Sequence, residues 1–260
     1  MGFKNKKSLG QNFLIDNNIL YKIVKIGDLS KNDSVLEIGA GSGNLTRFIL
    51  NEKPRDFTVV EKDFELVKIL KKKFNNQIKI VHSDILNLED DFYSEKFIVY
   101  GNLPYNISTK ILANWCLTNK IMFKKLILMF QKEVADRIIA KENTREYGRI
   151  TILANWKFNV KKVFDVSPEC FFPKPKIKST LLEFIPKKNQ VHINDPENLE
   201  KITRIFFAQR RKMVKKNFIK LFKNFDFISK KINVKLTDRP QTISINKFLM
   251  IVKEYENNLN

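Results

Sequence analysis

Cysteine and histidine, which carry much of the bond-making and metal chemistry of proteins, occur only twice each in these 260 residues. Cys116 and Cys170 share no CxxC spacing and no Cys/His cluster, so the chain shows no metal site and both thiols read as reduced and structural. His82 and His192 lack any partner pattern, which argues against a histidine-based catalytic pair. An apolar run of the roughly eighteen residues that a membrane span needs is missing. The lysine-rich start, residues 1–10, is not followed by the apolar stretch of a signal peptide, so a cytoplasmic protein is expected. Acidic residues are also short: 28 Asp and Glu stand against 48 Lys and Arg, a net charge of +20. That surplus favours a polyanionic partner, nucleic acid or an anionic membrane, through counterion release and steering. AT-rich coding would raise lysine along with Asn, Ile and Phe, so charge by itself names no partner. What is abundant is apolar: 43% hydrophobic residues with 22 Phe require a packed core, and the length suits one large domain and a small one.

Up to about residue 185, short β-branched runs alternate with helix-compatible stretches, the pattern of an α/β sheet with crossover helices. Strands are expected at 34–38, 57–60, 78–81, 97–100, 126–130, 157–163 and 180–185, with amphipathic helices over 63–74, 108–118 and 133–140. The polar, unpatterned stretch 186–196 reads as a linker. Beyond it, helical spacing over 199–207, 213–222 and 245–255 without strand alternation predicts a small helical domain. The expected boundaries are therefore 1–187 and 188–260.

Ligands of an open α/β sheet bind beyond the carboxyl ends of its strands. After the first run come Glu37, Gly39, Gly41 and Gly43, then Asn44 to Thr46 opening a helix. Glycines allow close approach and positive φ, and the helix start supplies N–H groups. Gly-x-Gly-x-Gly has neither the lysine of a P-loop nor the spacing of a dinucleotide fingerprint, which points away from a pyrophosphate. Glu61, after the second strand, can accept hydrogen bonds from ribose hydroxyls. Asp84, after the third, can accept one from an adenine amine. Singly each acid is an ordinary loop residue; with the glycines they describe a pocket for an adenosine-containing cofactor that need not carry phosphate.

The fourth strand leads into Asn102-Leu103-Pro104-Tyr105. An exocyclic adenine amine is a poor nucleophile because its lone pair is delocalised into the ring. If the Asn102 side-chain oxygen and the Leu103 carbonyl accept its two N–H groups, the lone pair is aimed at a methyl donor. Pro104 stiffens the turn, and Tyr105 offers a ring on which an extruded base can stack. Phe171 and Phe172 lie in a Pro-rich loop where both are hard to bury, so one can face a ligand. Residues 201–220 hold eight Lys or Arg and no acid, including Arg210, Arg211 and Lys212, and read as a phosphate-contacting face.

Together these motifs resemble the KsgA-type ribosomal RNA small-subunit adenine dimethyltransferases. The resemblance rests on Ser8-Leu9-Gly10-Gln11-Asn12-Phe13-Leu14, the Glu37 to Gly43 loop, the Gly101 to Thr109 turn, Gln131-Lys132-Glu133, Tyr147-Gly148-Arg149, Phe171-x-Pro173-x-Pro175-Lys176 and Gln209-Arg210-Arg211-Lys212. It implies a class I, Rossmann-like methyltransferase with a seven-stranded, mostly parallel sheet and a small all-α C-terminal domain. It implies S-adenosylmethionine as cofactor and N6-dimethylation of two adjacent adenosines in a hairpin near the 3′ end of small-subunit rRNA. The partner so implied is an immature 30S-type particle; separately, nothing in the sequence suggests an obligate dimer, so a monomer is expected, and the missing apolar run gives no membrane partner. Carried over by motif position, Asn12, Leu14, Gly39 and Gly41 line the cofactor pocket, Glu61 binds ribose, Asp84 binds the adenine amine, and Asn102 serves cofactor and target. Tyr105 and Phe171 sandwich the target base. Two positions depart from the pattern: Ile85 stands where the family often has Ala, and Ser167 replaces the first of two prolines. Two other readings stay open, a large-subunit dimethyltransferase of the macrolide-resistance type and a ribosome-assembly factor whose main task is binding.

Overall fold

A computed structural model describes residues 12–88, 92, 96–118 and 123–258. The motif residues Ser8 to Gln11 lie outside them. Among the described residues the chain begins with a two-residue strand β1 (Phe13–Leu14) and helix α1 (Asn17–Ile26). It continues through β2 (Ser34–Ile38), α2 (Asn44–Asn51), β3 (Asp56–Glu61), α3 (Phe64–Phe74), β4 (Lys79–His82) and β5 (Phe97–Asn102). Then follow α4 (Ser108–Leu117), β6 (Phe123–Gln131), α5 (Lys132–Ile138), α6 (Arg149–Lys157), β7 (Phe158–Val166), β8 (Phe171–Phe172) and β9 (Ser179–Pro186).

Seven strands form one sheet in the order β4-β3-β2-β5-β6-β9-β7. β2 pairs in parallel with β3 and with β5, β3 with β4, and β5 with β6, whereas β9 runs antiparallel to β6. Burial follows the order. β2 is buried throughout, β3 and β5 nearly so, because central parallel strands are covered on both faces and read as unbroken apolar runs. β4 and β7, at the two ends, mix exposed and half-buried positions. The chain order reverses at β2 and β5, where Ile38 lies opposite Gly101, so the crevice for a ligand opens at their carboxyl ends.

All seven expected strands are present, with ends shifted by a few residues. Three features of the chain up to residue 186 were not foreseen, and beyond it neither was the helix over Phe225–Lys231. α1 carries Asp16 as N-cap, accepting from the Asn18 and Ile19 N–H groups, with Leu20, Ile23 and Val24 buried at helical spacing. β1 and β8 pair antiparallel in a ribbon too short to leave a periodic signal. α6 runs over 149–157 and passes straight into β7, so Lys157, expected to start the strand, ends the helix.

The second unit contains α7 (Pro196–Phe207), α8 (Lys215–Leu221), α9 (Phe225–Lys231) and α10 (Ile245–Asn257). Phe206 meets Phe218 and Phe248 at ring-centroid distances of 5.8 and 5.3 Å. By contact density the two units are residues 1–111, 120–135 and 160–186, and residues 112–119, 136–159 and 187–260. The helical unit thus draws in stretches from well upstream of residue 187. The physical reason is α6, whose buried Ile152, Leu153 and Trp156 pack with α7 and α10, while Tyr147 donates its hydroxyl to the Ile243 carbonyl at 2.9 Å. Among the described residues no helix is long and apolar enough to cross a membrane.

Candidate active site

The turn after β2 places Gly39, Gly41 and Gly43 at φ of 67°, 58° and 82°. Two of the three do different work. A Cβ at Gly39 would meet nothing within 4 Å, so that face borders open space. At Gly43 a Cβ would lie 2.8 Å from Phe74 Cζ, so this glycine lets α3 close on the turn. Asn44 Nδ2 then donates to the Leu14 carbonyl at 2.8 Å, tying the start of α2 to β1.

Four buried or half-buried acids stand around this turn, one of them Asp63, which caps α3 by accepting the Glu65 N–H at 3.0 Å. Glu61, at the end of β3, accepts the Gly41 N–H at 3.0 Å through Oε2 and the Asp63 N–H at 2.9 Å through Oε1. The Lys62 N–H also favours its charged form, and an ionised carboxylate with about four acceptor sites keeps capacity for a further donor such as a ribose hydroxyl. Burial pushes its carboxyl above the usual range, against the backbone N–H groups that hold the charge down. Asp84 caps a short 3-10 turn through the Leu86 N–H at 3.0 Å and pairs with Lys62 Nζ at 2.9 Å. Burial raises its carboxyl, but the Leu86 N–H and the Lys62 ammonium outweigh that and leave it below the ordinary aspartate value. Glu37 is 2% exposed and accepts from Thr46 Oγ1 at 2.7 Å. Desolvation moves its carboxyl up to about 8, opposed by the Thr46 hydroxyl and assisted by the nearby Glu61 charge.

Asn102 ends β5 in the centre of the sheet. Its Nδ2 donates to the Asn12 carbonyl at 2.9 Å, which fixes the amide with Oδ1 as its accepting end. Leu103 is buried, and the Pro104 carbonyl accepts from Ile107 and Ser108 N–H, both at 3.1 Å, folding the turn back into α4. Tyr105 is half-buried, and its hydroxyl shares a 2.7 Å hydrogen bond with Ser179 Oγ. Burial raises that hydroxyl above the ordinary tyrosine value, so it is neutral at physiological pH.

One cavity of about 190 Å³ joins these parts. Asn12, Leu14, Gly39, Gly41, Glu61, Asp84, Asn102, Leu103, Pro104 and Tyr105, all picked out from the sequence, line it together. Phe171 does not. It is 3% exposed, set opposite Leu14 in the β1–β8 ribbon and packed in the apolar cluster. Alternation along a strand turns its neighbour Phe172 outward, 64% exposed. The expected sandwich of Tyr105 and Phe171 is therefore absent here, because the ribbon needs the first phenylalanine for its own packing. Arg210 also departs from the expectation of a phosphate contact. Its guanidinium donates to the Arg145 carbonyl at 2.6 Å and the Tyr147 carbonyl at 3.2 Å within the helical unit, while Arg211 and Lys212 are exposed.

Cavity residues with no assigned role beforehand include Glu37, Phe13, Lys62 and Ile85. Glu37 carried a usable signal, a single acid inside an otherwise apolar central strand, since a buried polar group is the informative exception. Ile85 is buried beside Asp84, so its larger side chain adds to the apolar wall at that end. Phe13 has its ring over Gly41, a contact that only tertiary folding brings about.

Residues 2–257 match the family model described as Ribosomal RNA adenine dimethylase. The chain is 54% identical to Ribosomal RNA small subunit methyltransferase A of Pelagibacter ubique, with 98% of each chain covered. It is 37% identical to the protein of the same name from Wolbachia pipientis wMel, covering 97% of this chain and 90% of that one. Among solved structures, a dimethyladenosine transferase from Plasmodium falciparum is similar with a TM-score of 0.79 at 25% identity, covering 94% of this chain and 98% of that one. The 23S rRNA methyltransferase ErmE shares the fold, with a TM-score of 0.69 at 23% identity over 94% and 99% of the two chains. With a family model matching residues 2–257 and a relative 54% identical over 98% of each chain, this chain belongs to the ribosomal RNA adenine dimethylase family.

Proposed function

We propose that this enzyme transfers methyl groups to the N6 amines of two adjacent adenosines in a hairpin near the 3′ end of small-subunit rRNA. The observation that carries the reading is Asn102, pinned through Nδ2 to the Asn12 carbonyl in the same cavity as Glu61, Asp84 and the glycine turn. The small-subunit target is supported by the 54% identical relative, whose name specifies it.

S-adenosylmethionine is the methyl donor of class I methyltransferases of this family, and the residues present fit it. Glu61 has accepting capacity for ribose hydroxyls, ionised Asp84 can accept an adenine amine, and the open face of Gly39 leaves room that any side chain would fill. Bound there, the cofactor supplies an electrophilic methyl group. The chain's own residues do the rest. Asn102 Oδ1 and the Leu103 carbonyl accept the two amine hydrogens and turn the nitrogen lone pair inward. The Tyr105 ring supports the extruded base, its position held by Ser179. No strong base is needed, because the methylated amine becomes acidic and yields its proton to water. In the second transfer one of these acceptors holds the remaining N–H while the methyl already added takes the place of the hydrogen that was lost.

The substrate form we infer is an immature small-subunit particle, met in the cytoplasm by a monomer. The +20 charge supports an RNA-bearing partner. Purified protein is incubated with methyl-labelled S-adenosylmethionine and undermodified small subunits, with large subunits in parallel, and the digested RNA is read by mass spectrometry. N6,N6-dimethyladenosine from the small subunit alone is expected. Label in the large subunit instead overturns the choice of target, and label in neither overturns the catalytic reading in favour of a binding role.

A further inference from the structure

Phe172 is among the most exposed large apolar side chains of the described residues, and it sits beside the site without lining the cavity. Cross-strand partners share a face of a ribbon. Phe172 is paired with Phe13, so it lies on the face whose other ring covers Gly41 and lines the cavity. The residue before Phe13 is Asn12, whose carbonyl holds the Asn102 amide. A single exposed apolar residue is ordinary. This one is followed by exposed Lys174, Lys176 and Lys178, of which Lys174 pairs with Glu169 at 2.6 Å, so that Lys176 and Lys178 suit a phosphate backbone passing the rim. Pulling one adenosine out of its stack also bares the π-face of its neighbour, and proteins hold unpaired bases by stacking them on aromatic rings.

We propose that Phe172 is the platform for the nucleobase adjacent to the target adenosine, with Lys176 and Lys178 holding the phosphates beside it. This rests on the function proposed above and adds to it a subsite for the second adenosine while the first is at Asn102. Phe172→Ala and Phe172→Trp are compared with the wild-type chain in steady-state methylation of undermodified small subunits at saturating S-adenosylmethionine. The alanine variant should raise KM for the subunit about tenfold, in line with the loss of one base stack, with a smaller change in kcat. The tryptophan variant should restore KM, and both should bind S-adenosylhomocysteine in calorimetry as the wild type does. A wild-type KM in Phe172→Ala overturns the proposal, as does a parallel loss of S-adenosylhomocysteine affinity, which would mark a structural role. A wild-type chain that forms no dimethyladenosine overturns the underlying function and this subsite with it, whereas an active wild type with an equally active alanine variant overturns the subsite alone.

Discussion

At the scale of the residue, two side chains carry separable consequences. Asn102 is part-buried and its amide is already committed at one end, so removing it takes away the acceptor that orients the amine rather than a piece of the core. Asn102→Ala should lower kcat by about two orders of magnitude, the usual scale for one preorganised polar group, with an unchanged circular dichroism spectrum. Label incorporation under single-turnover conditions reads the effect, and near-normal turnover would remove Asn102 from the chemistry. Glu37 titrates at about 8 in the folded chain against an ordinary 4.5. Between those values the native state holds a proton that the unfolded state has released, so the stability contribution is complete below pH 4.5 and is lost as pH rises through about 8. Relative to Glu37→Gln, the cofactor-free wild type should therefore lose stability steadily from pH 5 to pH 8 and level off above, by an amount on the order of a few kcal/mol. Urea unfolding at several pH values measures the gap, and a gap that stays constant would mean that Glu37 is ionised in the folded protein.

At the scale of the element, the turn between β2 and α2 separates binding from packing. Gly39 and Gly43 both have positive φ, so alanine strains the backbone at either by roughly 1 kcal/mol. The remainder differs. Gly39→Ala pushes a methyl into the open space of the cavity and should weaken S-adenosylhomocysteine binding at least about tenfold while costing little more stability. Gly43→Ala drives the same methyl against Phe74 and should cost a further 1–3 kcal/mol or so through overpacking. Calorimetric titration together with thermal melts of both variants distinguishes the two, and equal behaviour would contradict it. The turn after α7 divides in the same way. Arg210→Ala leaves the Arg145 and Tyr147 carbonyls without their donor and should destabilise by roughly 1–3 kcal/mol. Arg211→Ala and Lys212→Ala, both at exposed positions, should leave the melting temperature alone and each reduce the salt slope of small-subunit binding by about one.

At the scale of the whole molecule, the helical unit is not a segment that can be cut off at a linker. A chain ended at residue 187 keeps α6 but loses α7 and α10, against which it packs. It also strands the hydroxyl of Tyr147, which donates to Ile243, and the indole N–H of Trp156, which donates to the Val191 carbonyl at 2.9 Å. Such a fragment should aggregate or show the broad, poorly dispersed amide spectrum of a loosely packed chain. A sharp, dispersed spectrum from the fragment would show that residues 136–159 fold without the rest of their unit.

The seven strands of the sheet were legible along the chain because their signal is local: central parallel strands must be apolar without a break, and their carboxyl ends must carry whatever meets the ligand. Glu61, Asp84, Asn102 and the glycines could be named for the same reason, each lying at or just beyond the carboxyl end of a strand. Their gathering into one cavity is a property of the sheet order, which no single strand encodes. Phe171 and Phe172 mark the limit of local reading. Adjacent and identical, they differ only in which way a two-residue strand turns them, and that is set by Leu14 and Phe13 from the far end of the domain. Arg210 likewise looks like its neighbours until residues 145 and 147 arrive beside it. Composition and local pattern determine the elements and the chemistry available at their ends. Which of two equal side chains is buried, and which of three cations is spent inside the protein, depends on partners distant in sequence, and only the packed chain supplies those.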